Sequence, residues 1–187
     1  MSKRTARPES VVMGLPLPAG AGTMQPMDVE VIVEIPKGSR NKYEVDHDSG
    51  AIWLDRMLFT ATQYPTDYGF FPGTLGEDGD PLDAMVLLDE ATFPGCHILA
   101  RPVAVFFMED EAGRDAKVLC VPATDPRWSG MLDRGDLPAH LLDEIGHFFD
   151  VYKALEPGKG TTSMGWHSAA IAEAVVTEAR QRAADGH

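Results

Sequence analysis

From residue 28 the chain alternates. Val29, Val31, Val33 and Ile35 are interleaved with Asp28, Glu30, Ile32 and Glu34, and Pro36 closes the run. A period of two is that of a strand with one face buried. The stretches KYEVD and AIWLDR flank the turn-forming HDSG and predict a hairpin. A second hairpin is predicted from RPVAVFFM and AKVLCV, with its turn centred on Gly113. Beyond it the period changes. Leu141, Ile145, Phe148, Phe149 and Tyr152 recur at helical spacing after Pro138, a residue suited to the first turn of a helix, and the run ends near Pro157 and Gly158. Residues 167–182 predict a second amphipathic helix with Ile171, Val175 and Ala179 on one face. Short strands followed by two helices give an α+β fold, with a small barrel as the expected β part.

The first 26 residues read differently. Lys3, Arg4 and Arg7 precede VVMGLPLPAGAGTMQP, in which Gly14, Pro16 and Pro18 interrupt the apolar run a secretory signal requires. The expectation is a flexible N-terminal extension over residues 1–26 and a single domain over residues 27–187. Of the 187 residues 44% are hydrophobic, enough for a core, and 16 Lys plus Arg face 29 Asp plus Glu, a formal charge of −13. That sign argues against bulk nucleic acid as a partner, which requires a basic face. No apolar run approaches the ~20 residues of a membrane-spanning helix. Cys96 and Cys120, without CxxC spacing, give neither a disulfide framework nor a thiolate metal site, so a reducing cytoplasm is the expected compartment.

The chemistry concentrates in carboxylates. DGDPLD places Asp78, Asp80 and Asp83 within six residues, bent by Gly79 and Pro81 so that the side chains can converge. Like charges held this close favour a divalent cation, and Mg²⁺ takes oxygen ligands from one or two carboxylates, water and substrate phosphate. A solvated turn has the same composition. A second acidic group, Asp110, Glu111 and Asp115, sits about the later hairpin turn; the two-residue spacing puts Asp115 and Lys117 on one face. By the same rule Lys42 shares a face with Glu44. Arg56, Tyr64, Tyr68, Tyr152 and Lys153 add cations and phenols able to hold phosphate oxygens. For any of these alone, a surface ion pair or a buried ring explains the residue equally well. The six histidines show neither HxH nor HExxH spacing, and there is no GxSxG elbow, Walker loop or GxGxxG turn.

Four stretches together are specific: EIPKGSRNKYEVD, LDRMLFTATQYPTDYGFFPGTL, EDGDPLDAMVLL and MEDEAGRDAKVLCVP, with HFFDVYK following. Through them the chain, from Val29 to about Lys159, resembles the soluble family I inorganic pyrophosphatases in their short prokaryotic form. The resemblance implies a five-stranded OB-like barrel flanked by two main helices, several Mg²⁺ ions per active site, hydrolysis of pyrophosphate to two phosphates, and a homohexamer. It puts metal ligands at Asp78, Asp83, Asp110, Asp115 and Glu34, and phosphate contacts at Lys42, Arg56, Tyr68, Lys117, Tyr152 and Lys153. Glu44 and Tyr64 match supporting positions, and Asp80 matches the general base, with Asp110 as the other candidate. The chain departs from the pattern in its longer N-terminal segment and in residues 160–164, which are less apolar than the strand often found there. Two readings of another class stand beside this one. A non-catalytic OB-like module would bind metal or single-stranded nucleic acid, and a Mg²⁺ phosphohydrolase would act on nucleotides or polyphosphate.

Overall fold

The computed structural model describes residues 27–111 and 113–186. The expected extension over residues 1–26 thus lies outside the described residues. The strands are β1 (Val29–Ile35), β2 (Asn41–Val45), β3 (Ile52–Met57), β4 (Asp67–Phe70), β5 (Asp83–Val86), β6 (His97–Asp110), β7 (Gly113–Pro122) and β8 (Thr161–Ser168). The helices are α1 (Ala139–Val151) and α2 (Ala169–Asp185).

Five strands close on themselves in the order β1-β4-β5-β7-β6, with β6 returning to β1. The 14 residues of β6 make this closure possible. One edge pairs with β7 along most of its length. The other is shared, since residues 97–100 pair with β1 and residues 104–110 pair with β8. All pairings are antiparallel except β5 with β7. The result is the expected α+β architecture, an OB-like five-stranded barrel with two main helices. The predicted β2–β3 and β6–β7 hairpins form, and β2–β3 stands apart as a two-stranded sheet.

Each face of the barrel sheet has its own core. One face carries Met85, Ala104, Phe106 and Leu119 under Ile145, Phe148 and Phe149 of α1. The other carries Ala84, Val86, Val105, Val118 and Cys120 under Ala172, Val176 and Ala179 of α2. Burial on both faces removes the alternation from central strands. This is why β4 and β5, four residues each and almost wholly buried, show no strand pattern in the sequence.

Two expectations for the C-terminal part are corrected. The second helix begins at Ala169 instead of residue 167, because Trp166, His167 and Ser168 pair with Phe106, Val105 and Ala104 of β6. Its buried stripe is Ala172, Val176 and Ala179, whereas Ile171 is exposed and Val175 only half-buried. The small Ala172 and Ala179 let the helix lie close to the barrel, which turns Ile171 to the flank. Residues 161–164 do enter β8, which begins just after Gly160: at the outer edge of β6 a strand gains backbone pairing with little apolar burial.

Candidate active site

The two acidic groups of the sequence meet because β5 and β7 run side by side. Their parallel register pairs Asp83, the first residue of β5, with Lys117 of β7. The loop carrying Asp78 and Asp80 precedes β5, turned by Gly79 at a φ of +96°. Asp110 ends β6, and Asp115 follows the turn at Gly113 in β7, opposite Met108. Lys42 and Arg56 are cross-strand neighbours in the β2–β3 hairpin. Tyr152 and Lys153 follow directly from the last turn of α1, and Glu34 projects from β1.

These elements line one open cleft. Glu34, Lys42, Glu44, Arg56, Tyr68, Asp78, Asp80, Asp83, Asp110, Asp115, Lys117, Tyr152 and Lys153 all line it. Of the residues singled out from sequence only Tyr64 does not. Its buried ring lies beneath the cleft, 4.9 Å from that of Phe148 and 5.4 Å from that of Tyr68, where it supports the floor.

At the centre is Lys117, 2% exposed. Its ammonium donates to Asp83 Oδ2 at 2.6 Å, Asp115 Oδ2 at 2.8 Å and the Tyr68 hydroxyl at 2.9 Å. The Tyr68 hydroxyl in turn donates to Asp83 Oδ2 at 2.5 Å. Burial opposes the lysine charge, but Asp83, Tyr68 and Asp115 outweigh it and hold the ammonium well above its usual range. Burial raises Asp115, and repulsion from Asp83 and Asp110 adds to the effect although Lys117 opposes it. Asp78 is raised by burial and by its neighbours Asp115 and Asp80. Glu34 accepts a hydrogen bond from the Val45 amide at 2.8 Å, yet burial, helped by Asp83 and Glu44, pushes its carboxyl up to about 7. On the opposite wall Lys153 donates to Asp110 at 2.7 Å, and burial is overcome so that its ammonium is pushed up to about 12. Lys42 contacts Glu44 and, at 3.2 Å, Asp55.

Eight carboxylates line the cleft against five Lys and Arg side chains, an excess of three negative charges. A polyanion cannot enter such a cleft unless cations accompany it. The donors are carboxylates and phenols, the hard oxygen set.

A family model described as inorganic pyrophosphatase matches residues 31–184. The chain belongs to the inorganic pyrophosphatases. It is 58% identical over 147 residues to the inorganic pyrophosphatase of Leifsonia xyli, covering 79% of this chain and 90% of that one. With the inorganic pyrophosphatase of Streptomyces coelicolor it shares 56% identity over 163 residues, 86% of this chain and the whole of the relative. The crystal structure of the inorganic pyrophosphatase from Thermus thermophilus superposes with a TM-score of 0.82 at 47% identity, over 89% of this chain and 96% of that chain. Inorganic pyrophosphatases are metal-dependent hydrolases, and the donor set of the cleft fits a divalent cation. Among the described residues no three His, Cys, Asp or Glu side chains close into a preformed cage.

Four further polar residues, two in the pyrophosphatase cleft and two behind Arg56, carry no signal in the sequence. His47 and Lys159 line it, the His47 ring standing edge-on to Phe70 at 4.9 Å. Asp55 and Glu156 hold Arg56. The Glu156 bond spans 100 positions, so no local spacing announces it.

Proposed function

We infer that the chain hydrolyses inorganic pyrophosphate to two phosphates by direct attack of water, with Mg²⁺ as the supporting ion. The observation that carries this is the convergence in one cleft of the carboxylates of residues 78–83, Asp110 and Asp115 with the cations Lys42, Arg56 and Lys153. Asp78, Asp83, Asp110, Asp115 and Glu34 would hold the metal ions. When bound, such ions neutralise the excess negative charge and lower the pKa of a coordinated water from 15.7 to about 7 in favourable sites. Asp80, exposed at the rim of the loop, accepts the proton as water attacks, and Asp110 is the other candidate for that role. Lys42, Arg56, Tyr68, Lys117, Tyr152 and Lys153 orient the phosphates, and their charge and hydrogen bonds stabilise the leaving group. No side chain needs to form a covalent bond to phosphorus.

Homohexamer assembly is part of the proposal. It is supported by a cluster of large apolar side chains left exposed on and beside β3: Trp53, Leu54, Met57 and Phe59. A cytoplasmic location is supported by two unpaired cysteines, Cys96 and Cys120. No helix among the described residues is long and apolar enough to cross a membrane.

Phosphate release from pyrophosphate, ATP and tripolyphosphate, each with Mg²⁺ and with a chelator, tests the reading. Release from pyrophosphate with Mg²⁺ and none with chelator is expected. Preference for ATP or tripolyphosphate would shift the assignment to a nucleotide or polyphosphate hydrolase, and no release from any of them would revive a non-catalytic OB-like module.

A further inference from the structure

We propose that Glu156 is a positioning residue for phosphate recognition, fixing the Arg56 guanidinium so that its free edge faces the substrate. Glu156 lies in the turn that follows α1, three residues beyond Lys153, and is 7% exposed. Its backbone is tied on both sides: its amide donates to the Lys153 carbonyl at 2.9 Å, and its carbonyl accepts from the Lys159 amide at 3.2 Å. Its side chain meets the β2–β3 hairpin. There Nε and Nη2 of Arg56 both donate to Oε1, at 3.0 and 2.8 Å. Lys159 approaches Oε2 at 3.5 Å.

Counting donors shows what this arrangement leaves. A guanidinium has five N–H groups in a fixed plane. Two are taken by Glu156, and Nη1 gives a third to Asp55. The two that remain are one on Nη1 and one on Nη2, the pair a bidentate contact to phosphate uses. A buried carboxylate requires its partner, so Arg56 has little freedom to swing away. The same bond joins the hairpin to the turn bearing Tyr152 and Lys153, and so sets the separation of cationic groups on opposite sides of the cleft. Glu156 touches no reacting atom. It acts through Arg56.

The proposal rests on Arg56 being a phosphate contact, and a double-mutant cycle separates the two ideas. Steady-state kinetics at saturating Mg²⁺ are measured for the unaltered protein, Glu156→Gln, Arg56→Lys and the pair, each with its melting temperature. Glu156→Gln keeps the size of the side chain and removes its charge. It is expected to raise KM for pyrophosphate about tenfold while kcat changes less than about threefold, the loss of one charge-assisted contact made in both ground and transition states. In the Arg56→Lys background the same change is expected to add less than about twofold, because the group it positions is already gone. Additive losses would overturn the proposal, as would unchanged kinetics in Glu156→Gln beside an impaired Arg56→Lys. An Arg56→Lys protein of normal KM and kcat would remove the phosphate role of Arg56, and the proposal with it. Should Glu156→Gln fail to fold, the cycle is run with Glu156→Asp, which keeps the charge on a shorter arm. A smaller rise in KM, again absent beside Arg56→Lys, is the expected result, and an additive one overturns it.

Discussion

Asp80 and Asp83 are three positions apart and carry the same charge, yet they sit in different surroundings. Asp83 is tied to the Lys117 ammonium and the Tyr68 hydroxyl, whereas Asp80 is exposed at the loop rim. Replacing each by asparagine should therefore have different consequences. Asp83→Asn is expected to weaken metal affinity, with excess Mg²⁺ restoring part of the rate. Asp80→Asn is expected to lower turnover ~10²–10⁴-fold at saturating metal, with no rescue by more of it. Turnover against Mg²⁺ concentration for both variants checks this, and near-normal turnover in Asp80→Asn would pass the base role to Asp110. Glu34 gives a prediction about pH. Its carboxyl rises from an ordinary 4.5 to about 7, so the folded chain holds this proton more tightly than the unfolded one. In chelator its contribution to stability is full below the unfolded value and is lost as pH rises through about 7. Melting temperatures between pH 5 and 8 should fall less in Glu34→Gln than in the unaltered protein. The acidic clusters were legible because their members are neighbours in the chain. Glu156 was not, because its partner is 100 residues away.

Single-faced elements could be read from their periodicity, and double-faced ones could not. β1 shows its alternation because it carries charged residues on one side, and α1 shows its stripe because its outer face is polar. β4 and β5 lie between two cores and lack any contrast. On α2 the buried face differs from the predicted one at two of three positions, because close approach to the barrel selects the small Ala172 over Ile171. Gly69, in β4, shows how tight such packing is. A Cβ there would lie 1.9 Å from the Ile32 carbonyl oxygen, a backbone atom of the neighbouring strand that has no room to yield. Gly69→Ala is therefore expected to destabilise the fold by about 3 kcal/mol or more, measured by urea denaturation. An unchanged denaturation midpoint would mean that β1 and β4 separate more easily than their register suggests.

At the scale of the molecule, the resemblance of a few motifs carried the barrel, the helices and the reaction class, while composition alone gave only an acidic chain with a core. The site residues and both cores lie within residues 27–186. A chain beginning at Met27 is accordingly expected to fold and to hydrolyse pyrophosphate at a rate within about twofold of the full sequence. Activity assays and melting curves on the two proteins check this, and a large loss of either would assign the first 26 residues a role in the fold or the site.

The buried ammonium of Lys117 has a consequence for how the molecule meets a changing environment. It bridges Asp83 and Asp115 as a cation that cannot diffuse away. Two acids of the cleft thus keep a counterion supplied by the chain itself, which offsets part of the repulsion between β5 and β7. In chelator at neutral pH the protein is accordingly expected to keep its circular-dichroism spectrum, and to regain turnover when divalent cation is restored. Recovery of turnover after metal is added back is then expected to show no slow refolding phase, and such a phase in a stopped-flow trace would mean that the Lys117 pairs alone do not hold β5 against β7.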